Sequence, residues 1–179
     1  MTALQNFRLM AEYNRWMNAR MYDAAATLPA AELLADKGAF FGSLLGTLNH
    51  LAVADTIWLH RLVPHAASPG TIATMSGLPR PTSLRQALAD DLASLRAYRD
   101  ELDALILRWV AEVTPDHLSS TLTYRSTTGV ESTRNFGALL QHFFNHQTHH
   151  RGQTSTLLFQ AGVDVGVTDL LALIPDSHA

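Results

Sequence analysis

Four long stretches of this chain repeat apolar residues at the 3.6-residue spacing of a helix, and no stretch of comparable length alternates them as a strand does. The first runs from about Leu4 to Leu28, with Phe7, Leu9, Met10, Trp16, Met17, Met21 and Tyr22 in register, and stops at Pro29. The second begins near Ser43, carries Leu44, Leu45, Leu48, Leu51, Ile57, Trp58 and Leu62, and ends before Pro64. For the third, Thr82 or Ser83 is the expected cap, and Leu84, Leu88, Leu92, Leu95, Leu102, Leu105, Ile106 and Trp109 extend it to about Val113. The fourth starts between Thr133 and Asn135 and runs to Gly162, a residue suited to the left-handed turn that closes a helix.

Between the second and third runs, the segment from Pro64 to Pro81 holds four of the seven prolines and two glycines, so it reads as a long irregular connection. Thr-rich STLTYRSTTGVEST, Ser119 to Ser132, predicts a short hairpin turning at Gly129. The tail VTDLLALIP is expected to pack back on the helices. The predicted fold is all-α, a single-domain four-helix bundle over residues 1–179 with a long crossover between helices two and three.

With 179 residues, 47% of them hydrophobic, the chain is large enough for a substantial core. A formal charge of -3, with thirteen dispersed Lys and Arg, gives no general attraction for a phosphate backbone, so no nucleic-acid partner is expected. The N-terminus lacks the apolar core of a signal peptide, and no stretch approaches the roughly 18 apolar residues of a membrane span. A cytoplasmic protein without a membrane partner is therefore expected. Cysteine is absent, which excludes disulfides, thiolate ligands and cysteine nucleophiles. Any metal must be held by nitrogen and oxygen.

Nine histidines are present, and four of them fall between positions 142 and 150. On a helix His142, His146 and His150 form one stripe. Taking His142 as zero, the apolar residues of the fourth run average about 120°, His150 lies at about 80°, His146 at about 40° and His149 at about -20°. His150 and His146 therefore point inward and can share one ion, as two imidazoles at i and i+4 do in H-E-x-x-H sites. The residues between them are Gln147, Thr148 and His149, so the general-base Glu of a metalloprotease is missing. His142 and His149 sit toward the rim. A third ligand must come from another run, and His50, at the edge of the apolar arc of the second, is the candidate. Asp55 falls near the centre of that same arc, where a carboxylate needs a partner, either a ligating imidazole to orient or an arginine to pair with. His60, His65, His117 and His178 have no matching spacing and are expected at the surface.

Three segments, YNRWMNARMYDAAATLP, SLLGTLNHLAVADTIWLHRL and FNHQTHHRGQTSTLLFQAG followed by TDLL, together resemble the DinB/YfiT-like family, cytoplasmic bacterial four-helix bundles with a divalent metal in the core. The resemblance covers nearly the whole chain. It implies that the family's first ligand falls on His50 and its other two on His146 and His150, in agreement with the wheel. It also implies two antiparallel helix pairs joined by a long crossover, and a homodimer. Relatives include thiol S-transferases, thiol-dependent isomerases and proteins described as metal-dependent hydrolases. The implied activity is a metal-dependent enzyme, hydrolase or thiol transferase, in which one divalent ion, zinc or nickel, activates a water or low-molecular-weight thiol against a small-molecule substrate. The alternative is a non-catalytic metal-binding protein induced by stress or DNA damage. Arg151 and Gln153 belong to the matched motif, and Arg151, on the far side of the apolar arc, reads as a packing or interface residue.

Overall fold

The computed structural model describes residues 1–66 and 69–176. Helix α1, Ala3–Ala25, opens with a reciprocal cap between Thr2 and Gln5, and α2, Ala30–Leu34, follows directly on Pro29. The hydroxyl of Ser43 accepts from Gly46 N and starts α3, Leu44–Leu62; α4 is a short helix, Pro69–Met75. Asp91 caps α5, Leu92–Glu112, and Thr114 caps α6, Pro115–Ser119. Strands β1, Thr121–Arg125, and β2, Glu131–Asn135, pair antiparallel from Thr121 opposite Asn135 to Arg125 opposite Glu131. Asn135 then accepts from Ala138 N and caps α7, Phe136–Gln160, which ends short of Gly162 at φ 82°. A 3-10 turn, Leu170–Leu173, closes the described chain.

Both α5 and α7 pack against α1 and α3, so the four long helices close into a bundle. Its centre holds Leu48, Leu59, Leu102, Leu105, Ile106, Trp109, Phe136, Phe143, Phe144 and Leu158, all buried. Burying each such side chain contributes about 1.5–3 kcal/mol before the entropy of ordering it is subtracted. Trp109, within this core, satisfies its indole N–H on the Ala66 carbonyl at 2.8 Å. The tail packs back as expected, with Tyr13 donating to the Thr168 carbonyl and Arg20 to the Val165 carbonyl, each at 2.6 Å. No described helix is long and apolar enough to cross a membrane.

The third helix departs from expectation. It begins at Leu92 rather than beside Ser83: residues 82–86 turn on local bonds, with Gln86 N donating to the Ser83 carbonyl and Arg85 N to Ser83 Oγ, and Leu84, Leu88 and Ala89 find backbone partners on α3. Asn49 Oδ1 accepts from Leu88 N (2.7 Å) and Ala89 N (3.2 Å), Asn49 Nδ2 donates to the Ala89 carbonyl (3.0 Å), and the Leu84 carbonyl accepts from His50. These bonds draw the segment out as a strap across α3. Within the long connection, residues 69–75 are helical rather than irregular. The hairpin runs three residues past Ser132. His60, His65 and His117, expected at the surface, are half-buried. His60 bonds the Pro79 carbonyl, His65 bonds Ser120 Oγ against the Phe136 ring, and His117 Nδ1 accepts from Thr114 N. His178 lies outside the described residues.

A ring of buried polar groups joins all four long helices. Arg99 of α5 lies 2.5 Å from Asp55 of α3 and 2.9 Å from Asp103 one turn along, and none of the three is more than 3% exposed. Asp103 also accepts from Asn14 (2.9 Å) and Asn18 (3.0 and 3.1 Å) of α1. Arg151 of α7 donates to Asn14 Oδ1, and Gln147 of α7 is buried one turn before it. Burial raises the pKa of both aspartates and Arg99 opposes the rise; burial likewise disfavours the Arg99 cation, but Asp103 and Asp55 together outweigh it and hold the arginine charged. Arg99→Met leaves two carboxylates buried without their shared cation and is expected to cost about 3–5 kcal/mol in urea denaturation. Asp55→Leu added to it should cost less than the two single losses summed, by about 0.5–3 kcal/mol of coupling; strict additivity would show that the ring does not act as a unit.

Candidate metal centre

His50 projects from α3, and His146 and His150 from successive turns of α7, the helix that packs against it. His150 Nε2 is 3.2 Å from His50 Nε2 and 3.1 Å from His146 Nε2, and the ligand atoms of all three lie within 4.8 Å of one another. Nitrogens at the corners of a tetrahedron around an ion at about 2.0–2.1 Å are separated by about 3.3–3.4 Å. The two separations made by His150 are therefore close to those around a zinc-sized ion, and the three nitrogens together could hold one.

Tautomers make the case stronger. His50 Nδ1 is 2.9 Å from the Leu84 carbonyl oxygen, which can only accept, so this nitrogen carries the proton and Nε2 keeps its lone pair. His150 Nδ1 lies 2.7 Å from Gln153 Oε1, and with the Gln153 amide in this orientation, its nitrogen turned toward His149 Nε2 at 3.4 Å, Nδ1 carries the proton here too. A proton on His146 Nε2 could satisfy one contact, to His150, but His50 and His150 would still face each other lone pair to lone pair. Such a pair calls for a shared cation, and the acceptors behind each ring are the kind of outer support that orients ligating imidazoles.

Burial pushes the pKa of His50 down to about 4 and that of His146 to about 3, and it lowers His150 as well. All three are thus neutral and ligand-ready at neutral pH. Phe41 closes the site from above, stacked on His50 with 3.7 Å between ring centroids. Its turn, residues 39–43, comes so close to α3 that a Cβ on Gly46 would collide with the Phe41 carbonyl oxygen, which is why a glycine stands in the first turn of that helix.

Every histidine placed by the wheel lies where expected: His150 is buried, His146 half-buried, and His142 and His149 exposed. The rings of His142 and His149 lie 6.0 Å from His146 and 4.8 Å from His150, outside the converging set. Asp55 takes the arginine of its two expected partners. Arg151 is buried in packing, with its guanidinium 5.1 Å over the Tyr13 ring. Three participants escaped the sequence reading: Phe41, the Leu84 carbonyl, and the Gln153 amide as the acceptor behind His150.

Comparison with known proteins agrees with this architecture. The sequence model of the DinB family matches residues 1–176. The chain belongs to the DinB family. A curated relative, "Protein DinB" of Bacillus subtilis (strain 168), is 24% identical over 158 residues, covering 88% of this chain and 87% of its own length. No solved structure matches.

The depressed pKa values predict acid sensitivity of the chelator-treated protein. Unfolded imidazoles bind protons below about pH 6.5, whereas His50 and His146 when folded do so only near 4 and 3. The unfolded state therefore holds more protons between these limits, and stability falls as pH falls through the window. Urea midpoints at pH 7.5, 6 and 5 should drop for the natural chain and drop less for His146→Gln; parallel curves would contradict the assignment.

Proposed function

We propose that this DinB-family chain is a metal-dependent enzyme in which His50, His146 and His150 hold one divalent ion, zinc or nickel, and act on a small-molecule substrate. The observation that carries this reading is the meeting of His50 and His150 through nitrogens whose protons are committed elsewhere, to Leu84 and Gln153. When bound, the ion supplies positive charge at an open position, where it lowers the pKa of a water or thiol and makes a nucleophile available at neutral pH.

The protein's own groups have simpler tasks. The three imidazoles contribute no charge, so the ion's charge is left uncompensated for its ligand. Leu84 and Gln153 hold two of the rings against rotation, and Phe41 shields His50 from water. Among the described residues no carboxylate converges with the three histidines, which sets this centre apart from the H-E-x-x-H hydrolases and favours an external nucleophile that arrives ready to ionise.

Elemental analysis of protein purified without chelator is expected to give about one equivalent of zinc or nickel per chain, with His146→Ala losing it on dialysis. Absence of metal from the natural chain, or full retention by the variant, would sink the proposal. Turnover in a screen of thiols with electrophilic partners, abolished in His150→Ala, is expected for the enzyme. Stoichiometric metal without any turnover would instead favour the non-catalytic metal-binding alternative.

A further inference from the structure

Beside the metal centre, a cleft of about 360 Å³ opens between the Phe40–Phe41 turn, the strap and the tip of the hairpin, lined by Phe40, Phe41, Thr82, Ser83, Arg85 and Thr127. It shares Phe41, Leu84 and Arg85 with a smaller cavity of about 140 Å³ that has His50 in its wall. Arg85 thus stands in the walls of both. We propose that this cleft is a carboxylate subsite, that Arg85 is its binding cation, and that the substrate or thiol cosubstrate of the metal centre is a small carboxylate.

Among the described residues Arg85 is in no ion pair, and no acidic side chain lines either cavity. A cation left without a counter-charge beside a divalent-metal site makes the mouth electropositive and selects anions. One free guanidinium matches one singly charged anion, which favours a carboxylate over a phosphate.

The geometry supports the same ligand. Arg85 lies with its guanidinium carbon 4.7 Å from the Phe40 ring centroid and 5.6 Å from that of Phe41. Stacking on rings occupies the flat face of a guanidinium and leaves its N–H edge free for the two-pronged grip a carboxylate accepts. Ser83 Oγ accepts from Arg85 N at 3.2 Å, so its own hydrogen remains to donate, and Thr82 and Thr127 bring further hydroxyls to the wall. Phe40, 69% exposed, gives the apolar part of such a ligand a surface to cover. Leu84, whose carbonyl orients His50, sits between Ser83 and Arg85, so the anion would dock on the residues flanking a ligand's support.

This inference rests on the metal-centre reading, and its test separates the two. Cobalt(II)-loaded protein is titrated with 3-mercaptopropionate and 6-mercaptohexanoate, each against the mercapto-alcohol of equal chain length, following the thiolate-to-cobalt absorption band. The carboxylates are expected to bind at least tenfold tighter at one or both lengths. That preference should fall to within twofold in Arg85→Ala and partly return in Arg85→Lys, with cobalt content unchanged. Equal affinity in the natural chain, or a preference that survives Arg85→Ala, overturns the subsite. A second arm needs no metal: in chelator-treated protein, hexanoate should shift the amide resonances of residues 83–86 and the Arg85 Nε–H in NMR spectra, and hexanol should not. Failure to bind cobalt would count against the metal centre alone, and the hexanoate shifts would still decide the subsite. Their absence overturns it, as does an equal or larger response to inorganic phosphate.

Discussion

Arg99, buried between Asp55 and Asp103, is the contact from which the geometry of this bundle follows. Apolar packing alone tolerates small rotations and slides of one helix on another, because Leu and Phe contacts are not directional. A guanidinium between two carboxylates is directional, and in a low-dielectric interior each group must find its partner or leave a charge unpaired. Asn14 and Asn18 bring α1 into the arrangement through Asp103, while Arg151 brings α7. Arg151 directly follows His150 in sequence. Each step along a helix turns about 100° about its axis, so fixing Arg151 toward α1 also fixes where His150, and His146 one turn before it, points. The ring contributes little net stability over a well-packed apolar core. Its value is the single rotational setting it imposes on the ligand-bearing helix.

That setting holds an arrangement that works against folding when no cation is present. Desolvation of His50 and His146, and the facing lone pairs of His50 and His150, are unfavourable in the isolated chain. Sites of this kind persist where the surrounding structure over-determines them. Here the supports are the Leu84 carbonyl, the Gln153 amide, the Phe41 ring and, below them, the buried ring of charges. A divalent ion held there would relieve this cost and so link metal binding to stability through the same four helices.

The sequence shows the parts of this design that repeat along one element. Helical period marks the four long helices, and the same period separates His146 and His150 from His142 and His149. His50 needed the resemblance, since a lone histidine at the edge of an apolar arc carries no spacing of its own. Asp55 was legible as an anomaly, a carboxylate in the middle of an apolar face, but the choice between arginine and imidazole depended on α5, 44 residues away. Arg151 was legible as a packing or interface residue but its partner was not, since the face of α1 that it meets carries Asn14. The strap was misread for a related reason. Leu84, Leu88 and Leu92 keep perfect helical spacing, but Asn49 and His50, some 34–40 residues distant, together with local bonds of Ser83 and Gln86, hold the backbone out of a helix. Local preference lost to a tertiary partner that periodicity does not encode.

The ligand helices α3 and α7 form one side of the bundle, and the non-helical segments gather there: the turn at 39–43, the strap at 82–91 and the hairpin tip at Thr127. The three converging histidines sit on helices tied together by buried charge, whereas the walls of the cleft beside them come from loops held by a few hydrogen bonds. Such a division lets the walls change without disturbing the centre, since substitution at Phe40, Ser83 or Arg85 touches no member of the buried ring. A family built this way can keep one metal site while its substrates diverge. The same division explains why the ligand residues were legible in this sequence while the substrate was not: the ligands lie in periodic helices, and the cleft is made by segments whose positions follow from the fold rather than from their own pattern.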